Sequence, residues 1–257
     1  MSDRSTRIID ISVPLMNHSL YEITQPKIDY HTHDESVRRH FRLNQIHAED
    51  LGGTGFADEF VTASTHAGTH IDAPWHFGPL TGDRPARTID EIPLEWCYGN
   101  GVRLDFRHKK TGEMISVEDV QEALAKIDHR VGPGDIVLMW MDVQSRLGKE
   151  PDFWELHPGI SVEATEWLVD LGVKMMGADG WGWDLPYHKM FAAYRDGVPN
   201  SLWPSLIMAR RKEFVLLLKL SNLESLPGPT GFKIAAFPFK VERGSSGWVR
   251  AVAIVEE

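Results

Sequence analysis

The chain has 257 residues, 42% hydrophobic and 25% charged, with a formal net charge of −10; this suits a soluble globular protein with a sizeable core. The negative balance argues against nucleic acid and anionic membrane as partners, and the longest apolar run, Ile136 to Met141, falls far short of the roughly 20 residues of a membrane span. The one cysteine, Cys97, excludes an intramolecular disulfide framework, and the polar N-terminus lacks a secretory pattern, so a cytoplasmic protein is expected.

Apolar Ile8, Ile9, Ile11 and Val13 predict a strand over Arg7 to Pro14. The stretch from Asn17 to Glu35, with His18, His31 and His33, is polar and without period, and reads as a long loop. Phe41 to Ile46 and Glu59 to Ser64 read as a strand pair joined through Leu51-Gly-Gly-Thr-Gly55. Gly101 to Phe106 is a further strand. Ser116, with Asp119 three residues on, is a cap that opens a helix to about Asp128, whose apolar stripe is Val117, Val120, Leu124 and Ile127. Ile136 to Met141 reads as a strand, Ser161 to Gly172 as a helix, and Val173 to Met176 as a short strand. Gly177 to Pro186 alternates glycine with Trp181 and Trp183, which suits a loop presenting flat rings; Asp184 reads as a turn cap. Val215 to Leu220, Phe232 to Val241 and Trp248 to Val255 complete the strands. Helices alternating with strands imply a partly parallel sheet covered by helices. No repeat or linker stands out, so a single domain over residues 1–257 is expected.

The chemistry concentrates in one stretch, His66-Ala-Gly-Thr-His70-Ile-Asp72-Ala-Pro-Trp-His76. A lone histidine is ordinarily a surface or satisfied core residue. Three histidines and an aspartate this close, with Gly68 and Pro74 shaping the backbone between them, are what a metal site requires. The mixed nitrogen and oxygen set suits Zn, Mn or Fe(II) and matches Ca or Mg poorly. Gly68 is read as making room where backbone passes close to the site.

These residues resemble the His-x-Gly-Thr-His-x-Asp-x-Pro-x-His signature of the metal-dependent cyclase hydrolases, a family that includes bacterial kynurenine formamidase and isatin hydrolase. Ile8-Ile-Asp-Ile-Ser12, His157-Pro-Gly-Ile-Ser161 and Lys219-Leu-Ser-Asn-Leu223 are similar to further parts of the family pattern. The resemblance implies an α/β fold of the swivelling β/β/α type, a mixed sheet with flanking helices, assembled as a homo-oligomer. It implies metal ligation by His66, His70 and Asp72, with His76 as proton carrier or as a fourth ligand. Trp75, Trp181 and Trp183 are expected to form apolar walls for a small aromatic substrate, and core packing is the competing reading for these rings. Members that bind two metals carry a histidine and a glutamate where this chain has Leu206 and Leu218. One divalent metal per chain is therefore expected, Mn2+ before Zn2+. The expected activity is hydrolysis of an amide or cyclic amide on an aromatic compound, nearer to isatin hydrolase. Arylformamidase and lactone hydrolase are the alternatives, and a non-catalytic metal-binding module is the competing class.

Overall fold

A computed structural model describes residues 5–19, 22–37, 44–146 and 153–256. Nine strands form one mixed sheet: β1 (Thr6–Asp10), β2 (His70–Asp72), β3 (Tyr98–Asp105), β4 (Asp135–Trp140), β5 (Met175–Ala178), β6 (Val215–Leu218), β7 (Phe232–Ala235), β8 (Ser246–Trp248) and β9 (Val252–Glu256). Their order is β1-β9-β7-β3-β4-β5-β6-β2-β8. The central strands β3 to β6 run parallel, and every pairing outside them is antiparallel.

The parallel core follows from the crossovers. Helix α1 (Pro74–Phe77) follows β2; α2 (Val117–Lys126) joins β3 to β4; α3 (Val162–Asp170) joins β4 to β5; α4 (Tyr187–Arg195) and α5 (Pro204–Met208) join β5 to β6. Ser116 caps α2 as expected: its hydroxyl accepts from Asp119 N at 3.3 Å, while Asp119 accepts from Ser116 N at 2.8 Å. The stripe also holds, with Val120 and Leu124 buried and Val117 and Ile127 partly buried against the same cluster.

Strand alternation divides the interior between the two faces of the sheet. Val137, Met139, Leu216 and Leu218 pack toward α2, α3 and α5, while Ile136, Leu138, Val215 and Leu217 join Ile9, Ile11 and Ile71 on the other face. That second face must be concave. Residues 249–251 link β8 to β9, yet seven strand spacings separate the two in the sheet. Laid flat, those spacings would span roughly 34 Å at about 4.8 Å each, while the link reaches about 14 Å at most. The sheet therefore rolls until its ends meet. Ser12 bridges Leu220, Ile11 N donates to Ala251 O at 3.0 Å, and Val249 N donates to Thr69 O at 3.0 Å.

Three sequence expectations change here. The strand Asp58–Thr62 pairs with Lys27–His31, inside the stretch expected to be loop. Residues 44–46 form no strand, and 41–43 lie outside the described residues. Lys27–His31 escapes the period-two test because Ile28 is its one buried residue. The run Trp248 to Val255 is two strands rather than one, because the roll of the sheet parts β8 from β9. Among the described residues no helix is long and apolar enough to cross a membrane.

Candidate functional site

The His66–His76 stretch enters the fold at β2, between β6 and β8. Register places His70 opposite Leu218 and Trp248, and Asp72 opposite Leu216 and Ser246. His70 and Asp72 therefore share the helix-covered face, and Ile71 points into the rolled interior. Pro74 stands at the first position of α1, where its preset φ suits helix entry, and the turn carries His76 back over the strand. Gly68 adopts φ 64°, and a Cβ there would meet nothing nearer than 3.9 Å. Its requirement is the left-handed backbone rather than the close approach expected from sequence.

The four side chains converge. His66 Nδ1 lies 2.8 Å and His70 Nε2 3.2 Å from Asp72 Oδ1. The His66 and His76 rings are 4.3 Å apart, and ligand atoms of His66, Asp72 and His76 fall within 4.8 Å of one another. His70 Nδ1 donates to Gly68 O at 2.8 Å, which leaves Nε2 as a lone pair facing the carboxylate. His66 Nε2 has Ser245 Oγ at 3.2 Å, a partner that can fix the ring in the same sense. Asp72 is 3% exposed, and among the described residues its Oδ1 has no hydrogen-bond partner despite the two nitrogens beside it. Burial raises the Asp72 carboxyl, but positive charge beside it, from His70 and His66 when protonated, outweighs burial and holds the group well below the usual carboxylate range. Lone pairs meeting around an unpartnered carboxylate oxygen fit a shared cation, with second nitrogens secured behind them.

These groups sit in the wall of a cavity of about 240 Å³. Trp181, Tyr187 and Trp203 form another part of it, packed edge to face with centroids 5.5 Å and 5.6 Å apart. Leu206 and Leu218 line the same cavity. Lys219 is its one cation among the described lining residues, and Glu22 Oε2 lies 2.5 Å from its ammonium. His76 is exposed to this space; desolvation by its surroundings lowers its pKa, with Asp72 pulling the other way.

The three tryptophans named from sequence separate. Trp181 lines the cavity. Trp183 also borders the cavity, but it is 1% exposed and its Nε1 donates to Thr165 Oγ1 at 2.9 Å, so most of its ring packs in the core beside α3. Trp75 is 43% exposed and stands apart from the cavity wall. Asp184 behaves as the expected cap, accepting from Ser205 N at 2.8 Å and Leu206 N at 3.3 Å. His188 pairs with Glu155 and Glu213 with Arg87, so neither joins the cluster. His157 also lines the cavity, and Tyr187, Trp203, His157 and Lys219 are not among the site residues expected from sequence. The apolar spacing Tyr187, Met190, Phe191 signals a helix face that would have pointed to the first; the rest carry no local signal.

The chain matches the sequence pattern of the family described as putative cyclase over residues 9–185. It belongs to that family. The isatin hydrolase of Roseibium aggregatum is 27% identical over 222 residues, covering 83% of this chain and 80% of that protein. The kynurenine formamidase of Delftia acidovorans is 25% identical over 193 residues, covering 75% and 77%. The fold superposes on a crystal structure of an isatin hydrolase bound to the product analogue thioisatinate, with a TM-score of 0.75. That likeness covers 98% of this chain and 93% of the other at 21% identity.

Proposed function

We propose that this cyclase-family chain is a divalent-metal hydrolase that opens a cyclic amide fused to an aromatic ring, of the isatin kind. The observation that carries the reading is Asp72 Oδ1, buried and unpartnered between lone pairs of His66 and His70 at the edge of an aromatic cavity. A divalent ion bound there supplies Lewis acidity and acidifies water.

The chain's own residues do the rest. His66, His70 and Asp72 hold the ion. His76 takes the proton of the attacking water and returns it to the departing ring nitrogen, a task suited to neutral imidazole. Two observations support this division. His66 and His70 have their second nitrogens secured, as ligating histidines ordinarily do, whereas among the described residues no hydrogen bond fixes His76. Desolvation also favours the unprotonated ring of His76. Trp181, Tyr187 and Trp203 stack on the flat substrate and exclude water. Leu206 and Leu218 offer no donor where a second ion would need one, so the reading is one ion per chain; the resemblance to isatin hydrolase, not the ligand set, puts Mn2+ ahead of Zn2+.

Charge favours the cyclic amide over N-formylkynurenine. The carboxylate of an amino acid needs a cation, and Lys219 is already neutralised by Glu22. An uncharged bicyclic substrate makes no such demand. The test is chelator-treated protein reloaded with Mn2+ or Zn2+ and offered isatin and N-formylkynurenine in parallel, followed by ultraviolet absorption. Metal-dependent loss of isatin is expected; faster turnover of N-formylkynurenine would reverse the assignment.

A further inference from the structure

Residues 64–69 carry His66 into the cavity with no strand or helix to hold them. Their backbone is instead gripped by side chains from distant parts of the chain. Lys219 Nζ donates to His66 O at 2.9 Å and to Glu22 Oε2 at 2.5 Å, and Glu22 Oε1 accepts from Gly68 N at 2.8 Å. The Thr69 hydroxyl donates to Lys219 O at 2.7 Å and accepts from Val13 N at 2.8 Å. The same ammonium stands 4.9 Å from the centre of the Trp181 ring. One charged group thus touches both the loop bearing His66 and the aromatic wall opposite.

The pair is built at some cost. Both side chains are buried, at 5% and 9% exposure, and Lys219 holds φ at 58°, a region side chains other than glycine seldom adopt. A buried ion pair adds little stability over apolar packing, so stability alone does not account for this one. We propose that the Glu22–Lys219 pair is a positioning device for His66: it sets where Nδ1 stands relative to Asp72 and thereby the affinity of the site for a divalent ion. The inference rests on the metal reading above and adds residues that touch neither ion nor reacting atoms.

Visible absorption of chelator-treated protein titrated with Co2+ tests it, because the cobalt band reports coordination as well as occupancy. The double variant Glu22→Gln/Lys219→Met removes both charges together and leaves no unpaired buried ion. It is expected to melt near the wild-type temperature yet bind Co2+ about 10-fold more weakly, with a shifted band. Lys212→Met, which breaks a surface pair with Glu166 and Asp170, controls for loss of a lysine and should leave the titration unchanged. A folded double variant with wild-type affinity and band would overturn the proposal. Should the double variant not fold, Glu22→Asp carries the test: it keeps the charge paired with Nζ but draws the carboxylate back from Gly68 N by one methylene. Weaker Co2+ binding is expected, and an unchanged titration overturns the proposal. Wild-type protein that takes up no Co2+ would overturn the metal reading itself, an outcome distinct from either variant matching wild type.

Discussion

Trp183 and Trp181 stand two residues apart in one glycine-rich loop and both border the cavity, but Trp183 is the more deeply packed, so alanine at each should separate packing from binding. Trp183 is 1% exposed and belongs to the cluster between sheet and helices. Its indole N–H is also spent on Thr165, whose hydroxyl donates onward to Ser161 O at 2.8 Å. Truncating a buried tryptophan to alanine costs about 3–5 kcal/mol. Each kcal/mol moves the melting point of a domain this size by roughly 2–4 °C, so Trp183→Ala should lower Tm by roughly 6–20 °C. Trp183→Phe keeps most of the ring and loses the hydrogen bond, a cost of about 1 kcal/mol. Trp181→Ala removes a partly buried wall of the cavity; it should leave Tm closer to wild type and raise KM for an aromatic cyclic amide. Circular-dichroism melts, with steady-state kinetics well below every Tm, measure both quantities. A Trp183→Ala protein with wild-type Tm and a raised KM would refute the argument, since its ring would then face substrate.

Other expectations follow from the same geometry. His76→Ala should retain the ion and lose about 10²- to 10⁴-fold in turnover, whereas His70→Ala should lose ion and turnover together; elemental analysis beside kinetics checks this, and release of the ion by His76→Ala would make His76 a ligand. Active protein should carry one divalent ion per chain, because an ion beside Leu206 and Leu218 without ligands would cost several kcal/mol. Leu206→His with Leu218→Glu should recruit a second, and two tightly held ions in the wild type would contradict the reading. Burial pushes the Asp179 carboxyl up to about 7 against the amides of Met141 and Val143 that bond it. Because the folded pKa lies above the unfolded one, the stability this group contributes is complete below about pH 4 and lost as pH rises through 7. Carboxyl NMR should show one aspartate titrating near 7, and a midpoint in the ordinary range would remove that dependence.

What this sequence determines by itself is local. Ser116 and Asp119 cap their helix because the hydrogen bonds span three residues, and the stripe on that helix repeats with the helical turn. The donors of the candidate site are legible for the same reason: His66, His70, Asp72 and His76 lie on one short segment. The resemblance to the cyclase family, the mixed α/β fold and the leucines at 206 and 218 were also readable from residue order. Tertiary structure decided everything that depends on which distant segment arrives. Strand periodicity tells which side of a strand is apolar, not which strand lies next to it. The run from Trp248 to Val255 therefore looked continuous until the rolled sheet placed its halves on different neighbours. Lys27–His31 looked like loop because an exposed ribbon needs little apolar pattern. Trp181 and Trp183 border one cavity from one loop, and only the packing of Thr165 against Trp183 shows which ring is mostly core. Glu22 and Lys219 meet from opposite ends of the chain, and no local signal marks a contact created by closing a sheet on itself.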